Sequence, residues 1–230
     1  IGLIGANGQD IPLHLTNGRE VPDGVLEMTK RKERWTFRDV PSRPVASLLR
    51  GFSAPVNLTV NHSERQIEFL MTYDSDEFNR WNAAQQLGVN VLLHMIEAYK
   101  KSHPENLPKN YLTAFNNVLS ASNADKALIA RVLTLPDEDY LAELMPYVDV
   151  DAIHTMREAA CCEIAEKFQL SFEKLFAENR ETDYLFNSAA IGKRSLKNMC
   201  LAYLSRLNTD ATRIQAVNQY HNANNMTDQM

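Results

Sequence analysis

The sequence predicts an α+β protein by segment, with a partial antiparallel β-sandwich followed by an irregular array of α-helical hairpins. Glycine and proline are concentrated early: six of the eight glycines and five of the nine prolines precede residue 56. The later sequence is rich in Ala, Leu, Glu, Lys and Asn, and its apolar residues recur at helical spacing. Because the composition changes near residue 72, we expect a β-sandwich domain, itself incomplete, over residues 1–72 and a helical domain over 73–230.

Turn signals and alternation predict the β part. Asn7-Gly8 and Asn17-Gly18 supply the positive φ angles that tight hairpin turns require. The alternating apolar positions are Leu26 and Met28, Trp35 and Phe37, Val56, Leu58 and Val60, and Ile67, Phe69 and Met71. The last two sets predict a hairpin that turns at His62-Ser63.

Capping residues predict where the helices start. The start signals are Asp74 with Glu77, Pro108, Ser122 with Asp125, Pro136 before Asp-Glu-Asp, Asp149 or Asp151, Asp183 and Thr209. About seven or eight helices joined by short loops imply antiparallel neighbours stacked as hairpins. Since no fixed repeat period is evident, any solenoid is irregular.

The charge and hydropathy of the sequence disfavour nucleic-acid and membrane partners. The net charge of −5 and pI of about 5.7 do not favour a nucleic-acid partner, which needs a basic face. The run Lys30–Arg34 is either a phosphate patch or a solvated strand face; the second interpretation is favoured because no aromatic residues are interleaved with it. No apolar stretch approaches the roughly 20 residues that cross a bilayer, so we expect no membrane partner.

The cysteines favour a reducing compartment. The chain has three cysteines, and two of them, Cys161 and Cys162, are adjacent, so a disulfide framework is not expected. No leader pattern is evident either. The sequence therefore predicts a cytoplasmic protein.

Two groups of residues are candidates for chemistry. His94, Glu97 and His103 could offer metal ligands, but His103 falls in a loop that does not oblige it to face the other two, and surface polar residues are the favoured interpretation. Cys161 and Cys162 have acidic and apolar neighbours, which disfavour a thiolate, so buried apolar side chains are favoured. We therefore assign no catalytic, cofactor-binding or metal-binding residue.

Four stretches, in this order, resemble the region after the catalytic domain in the bacterial aminopeptidase N family of zinc-dependent, thermolysin-like gluzincins. They are SLLRGFSAPVNL (Ser47–Leu58), FLMTYDSDEFNRWNAAQQL (Phe69–Leu87), GKRSLKNMCLAYL (Gly192–Leu204) and YHNANNMTD (Tyr220–Asp228). The resemblance covers nearly the whole chain. It implies a β-sandwich spacer followed by the first half of a helical domain that covers the active site.

The same resemblance implies that the chemistry lies elsewhere. The His-Glu-x-x-His zinc helix and the Gly-x-Met-Glu-Asn motif of the family are absent from this sequence. We therefore expect no cofactor in this chain, and zinc in the catalytic domain of a longer parent. The expected partners are that domain and the remaining helices, and peptide substrates bind only the full-length enzyme.

The final residues bear on a rival hypothesis. Thr227 followed by Asp228 resembles a helix start, so we expect a helix that continues past residue 230. We also expect residues 223–230 to be poorly ordered, or held only by neighbouring molecules. The alternative is a free-standing helical-repeat module that binds another protein and has no enzyme activity. Such a module needs polar capping helices at both ends, which the start signal at Thr227 does not favour.

Overall fold

A computed structural model describes residues 1–121, 124–181 and 183–229 of the chain. Within these ranges four short strands precede nine α-helices, with short 3-10 helices at Pro22–Gly24 and Arg50–Phe52, so the predicted α+β order is confirmed. Strands β1–β4 are Gly2–Ile4, His14–Leu15, Phe37–Arg38 and Val45–Ser47. Helices α1–α9 are Glu64–Tyr73, Glu77–Lys100, Lys109–Leu119, Lys126–Val132, Glu138–Glu143, Val150–Glu178, Ser188–Arg206, Asp210–Asn222 and Met226–Gln229. No helix among the described residues has the length and apolar character needed to cross a membrane.

The strands form two small antiparallel sheets. β1 pairs with β4, placing Gly2 opposite Ser47, and β2 pairs with β3. Both Asn-Gly turns are present, with Gly8 at φ 77° and Gly18 at φ 76°. The hairpin expected across the first turn is reduced to a single bridge between Ile4 and Asp10, and β1 instead pairs with β4.

The prediction of a strand from the alternation of Leu26 and Met28 is wrong. Neither residue lies in a strand, and Met28 is 62% exposed. Of the next alternating pair, only Phe37 lies in a strand. Two alternating residues without a neighbouring strand to bury them do not define a sheet, since side-chain pairing supplies much of the sheet's stability.

The predicted hairpin that turns at His62-Ser63 is also wrong. Its second arm is helix α1, which starts after Ser63, whose backbone N–H donates to Gln66 Oε1 at 2.9 Å. Ile67 and Met71 are buried because they are four residues apart on one helical face, a spacing that also fits a period of two. Helical structure thus begins at Glu64, before the composition change near residue 72.

Most other helix starts follow the capping signals. The first turns of α4, α5, α6 and α8 each donate a hydrogen bond to a capping side chain, respectively Asp125, Asp137, Asp149 and Thr209. Of the two candidates for the start of α6, Asp149 is therefore the cap and Asp151 is not. Ser122 lies outside the described residues. Helix α7 starts after Asn187 rather than at Asp183.

The predicted cap at Asp74 is wrong. Asp76 accepts from the Asn79 backbone N–H at 2.9 Å and so caps α2. Asp74 is instead buried, with a relative exposure of 1%.

The described chain forms two compact units, Ile1–Gln86 and the part from Leu87 onward. In the second unit, α6 and α7 form the central helix pair. Its core contains four packed rings, Phe115, Phe168, Phe172 and Tyr203, of which Phe115 and Phe172 each contact the other three. Tyr203 also donates its buried hydroxyl to the Leu133 carbonyl oxygen at 2.7 Å, which satisfies the polar atom that this ring brings into the core.

Candidate functional site

The three candidate metal ligands do not form a site. His94 Nε2 lies 3.1 Å from Glu105 Oε2 at the surface. Glu97 pairs with Lys100, and His103 Nδ1 bonds the Lys101 carbonyl oxygen. Within the described ranges, no group of three His, Cys, Asp or Glu side chains is placed to hold a metal ion.

The three cysteines are packed in or beside the helical core. Cys161 and Cys200 are buried, whereas Cys162 is half-buried on α6, and all three are free thiols. Burial raises the pKa of Cys161 and Cys162, and raises the pKa of Cys200 to about 12. Since the thiolate is the nucleophilic form, this environment opposes cysteine catalysis.

We expect thiol labelling of the native chain at pH 7.5 to modify Cys162 slowly and to leave Cys161 and Cys200 untouched. Burial restricts reagent access to those two thiols and disfavours their thiolates. Labelling with a chromogenic disulfide should therefore consume about one thiol in buffer and all three in denaturant. Cys162→Ser is the control and should abolish native labelling; rapid modification of Cys200 in the folded chain would contradict the packing.

The basic run lies in an exposed loop. Lys30, Arg31, Lys32 and Arg34 are exposed and lie in no strand, whereas Glu33 is half-buried and accepts from the Thr29 hydroxyl at 3.1 Å. The basic run is therefore exposed to solvent, which is the favoured interpretation. The prediction that it lies on a strand face is wrong, because residues 30–34 form a loop. The cation–π contact found among the described residues, Arg194 over Tyr184, lies outside this run.

The sequence reasoning missed a polar cluster centred on Arg50, in the first unit. The Arg50 guanidinium donates through Nη1 and Nη2 to both carboxylate oxygens of Asp10, at 3.0 and 2.8 Å. Nη2 also donates to Asp74 Oδ1 at 2.9 Å, and Nε donates to Ser47 Oγ at 2.8 Å. Three donor atoms of one side chain thus join β4, the loop before β2 and the turn between α1 and α2.

The two carboxyl groups of the Arg50 cluster have pKa values shifted in opposite directions. The hydrogen bond from Arg50 lowers the pKa of Asp10, which remains partly exposed. Burial raises the pKa of Asp74, despite the hydrogen bonds and the Arg50 charge that favour its ionised form. Because the side chain of Asp74 has no exposed surface, this cluster is an internal tie rather than an acid–base site.

A second polar cluster holds the final residues against α7 and α8. Lys197 Nζ lies 2.8 Å from Asp228 Oδ2, and their side chains are only 9% and 12% exposed. Asn198 donates to the Thr227 carbonyl oxygen at 2.9 Å, and Gln219 donates to the Asp228 carbonyl oxygen at 3.1 Å. Burial opposes ionisation of Asp228, but its bonds to Lys197 and Asn225 outweigh that effect, and its pKa is lowered.

This cluster corrects two expectations about the final residues. The helix start is capped by Asn225, whose Oδ1 accepts from the Asp228 backbone N–H at 3.1 Å, and not by Thr227. Residues 226–229 form α9 and are held by contacts within the chain, so the expectation of a poorly ordered segment is wrong there. Met230 lies outside the described residues.

Helix α8 presents an apolar stripe to solvent. Ile214, Val217 and Tyr220 follow one another at three-residue spacing and are 60%, 53% and 57% exposed. Thr212 is the one residue of this helix that is buried. A helix with an uncovered apolar stripe is typical of a docking surface.

Two family descriptions match the chain. Residues 1–61 match the domain of unknown function DUF3458, described as an Ig-like fold. Residues 64–230 match the domain of unknown function DUF3458_C, described as ARM repeats. Both descriptions agree with the predicted order of a sandwich followed by a helical array.

The chain is similar to part of much longer proteins. It is 34% identical to Aminopeptidase N of Escherichia coli and 32% identical to that of Haemophilus influenzae, in each case over 99% of this chain and 26% of the relative. Aminopeptidase N of Caulobacter vibrioides is 30% identical over 99% of this chain and 25% of its own length. The chain thus spans about a quarter of these relatives, and the resemblance found in the sequence is confirmed.

A solved structure shares the fold. The chain superposes on the crystal structure of Legionella pneumophila aminopeptidase A in complex with aspartic acid with a TM-score of 0.76 and 24% identity. The match covers 99% of this chain and 26% of that one.

Proposed function

From the premise that this chain belongs to the DUF3458_C family of ARM-repeat domains, we propose that it is a non-catalytic part of a zinc-dependent aminopeptidase. The observation that carries the proposal is the identity of 30–34% over 99% of this chain, against only 25–26% of the length of each relative. The parent would remove N-terminal residues from peptides, using zinc to activate a water molecule.

The described residues do not fit the zinc ion. The possible ligands His94, Glu97 and His103 each have a different partner, and zinc in a catalytic site takes three protein ligands. We therefore assign the metal to the catalytic domain of the parent, and we derive no catalytic step in this chain.

In this proposal the Ig-like part is a spacer and the helices form part of the cover over the active site. The apolar stripe on α8 (Ile214, Val217, Tyr220) supports this role, because each repeat of a helical array buries its apolar face against the next repeat. We propose the catalytic domain and the remaining helices as the partners, and no nucleic acid or membrane. We also propose a cytoplasmic location.

The alternative, a free-standing interaction module, is not favoured. The relatives that match nearly the whole chain carry it as about a quarter of a longer polypeptide.

The test compares this chain with the longer product of the same reading frame. We expect the longer product to contain stoichiometric zinc and to hydrolyse alanine p-nitroanilide, and the 230-residue chain to do neither. Zinc is measured by elemental mass spectrometry, and hydrolysis by absorbance. An inactive longer product would contradict the proposed parent activity, whereas turnover by this chain alone would contradict its non-catalytic role.

A further inference from the structure

Residues 54–61 have the sequence of a strand but no strand partner. Val56, Leu58 and Val60 alternate with Asn57, Thr59 and Asn61, which is the period of a β-strand. The segment lies in no helix or strand, and its apolar side chains are 58%, 49% and 38% exposed. Among the backbone hydrogen bonds of the described residues, this segment contributes a local one, from Val56 N to Ala54 O at 3.0 Å.

A groove runs beside this segment, within the first unit. It has a volume of about 550 Å³; its apolar side is formed by the segment together with Phe52, Leu70 and Phe78, and its polar side includes Asp74, Asn79 and Gln86. The rings of Phe52 and Phe78 are 4.3 Å apart, and Phe52 is 69% exposed. Phe52 has φ 53°, a backbone conformation that is unfavourable for a bulky residue, so the fold holds this ring at the groove at some cost.

Apart from Pro55, the segment also lacks the protection that exposed edge strands carry. Residues 53–63 read SAPVNLTVNHS and contain no Asp, Glu, Lys or Arg. Soluble proteins place charges, especially Lys, on strand edges that face water, because unprotected edges pair with other chains. An uncharged segment with three exposed apolar side chains at strand spacing is therefore typical of an edge that another strand covers.

We propose that residues 54–61 are the receiving edge for a further β-strand of the Ig-like module, supplied by the longer polypeptide. This inference rests on the proposed function, in which the chain is part of a longer enzyme. Ig-like sandwiches contain about seven strands, whereas the described residues of this module contain four strands of two or three residues each. The added strand would bond the free N–H and C=O groups of the edge and place apolar side chains against Phe52, Leu70 and Phe78.

Hydrogen exchange measured by mass spectrometry tests the proposal in both products. In the 230-residue chain, we expect the amides of residues 56–61 to exchange close to the unprotected rate. In the longer product, the same amides should exchange on the order of 100-fold more slowly, because strand pairing protects them. The Leu58→Asp variant of the longer product should lose most of this protection, whereas the neighbouring change Thr59→Asp, at a position outside the groove lining, is the matched control and should retain it.

Two results would overturn the proposal. One is fast exchange of residues 56–61 in the longer product. The other is protection in the 230-residue chain that rises with protein concentration, which would assign the edge to a second copy. A longer product that lacks aminopeptidase activity but protects this segment would contradict the proposed function and support the strand assignment, so the two failures are distinguishable.

Discussion

Replacing Phe172 with alanine is expected to lower the free energy of unfolding of the helical unit by about 3–5 kcal/mol. Phe172 has no exposed surface and contacts Phe115, Phe168 and Tyr203. Its ring stacks on Tyr203 with centroids 5.0 Å apart, and both lie between α6 and α7, the central helix pair. The substitution would leave a cavity that surrounding helices cannot fill without moving their backbones, which is why truncation at such a site has a large effect.

Urea unfolding followed by circular dichroism measures this loss, with an unchanged slope indicating that the same unit unfolds. The matched control is Phe186→Ala, since Phe186 is 83% exposed and the same atoms are removed. We expect the control to cost less than about 0.5 kcal/mol. Equal effects of the two substitutions would contradict the assignment of Phe172 to the core.

Local signals in the sequence predict the helical part well. N-cap residues such as Asp125, Asp137 and Asp149 act within three residues of themselves, so their effect is readable without tertiary information. The α1 segment was misassigned because Ile67, Phe69 and Met71 fit both a period of two and, at the first and last positions, a helical spacing. The capping pair of Ser63 and Gln66 was the local signal that favours a helix.

The two polar clusters could not be predicted from spacing. Arg50 and Asp10 are forty residues apart, and Lys197 and Asp228 are thirty-one apart, so only the fold brings each pair together. One signal was nevertheless available. The four stretches that resemble aminopeptidase N contain Arg50, Asp74, Lys197 and Asp228. These stretches therefore contain residues that hold distant parts of the chain together, through the Arg50–Asp74 and Lys197–Asp228 contacts.

Replacing Arg50 with methionine is expected to destabilise the first unit by about 3 kcal/mol at neutral pH. The substitution keeps an apolar side chain of similar length but removes the hydrogen bonds to Asp10, Asp74 and Ser47. Asp74 would remain inside the protein as a carboxylate without its cation, and an uncompensated buried charge is the main source of the loss. The stability of Arg50→Lys should lie between those of the wild type and Arg50→Met, since lysine restores the charge but not the planar set of guanidinium donors.

The matched control for this change is Arg19→Met. Arg19 lies 3.7 Å from Glu27 in an ion pair whose side chains are 57% and 72% exposed, so its loss should cost less than about 0.5 kcal/mol. The double variant Arg50→Met/Asp74→Asn should recover part of the stability, because it removes the buried charge together with its partner. A double variant that loses as much as the sum of both single variants would contradict direct coupling between the two side chains.

The effect of Arg50→Met should shrink on acidification, for reasons that differ between its two carboxylate partners. Asp10 has a lowered folded pKa, so its stabilising contribution is present above the unfolded pKa near 3.8 and is lost as the pH falls through the folded pKa. Asp74 has a raised folded pKa, so its contribution is present below 3.8 and is lost as the pH rises through the folded pKa. Near pH 3 a protonated Asp74 no longer needs a cation, so urea titrations of the variant and the wild type should converge towards acid pH. A gap that widens towards acid pH would instead contradict the account of Asp74 as a buried carboxylate that depends on Arg50.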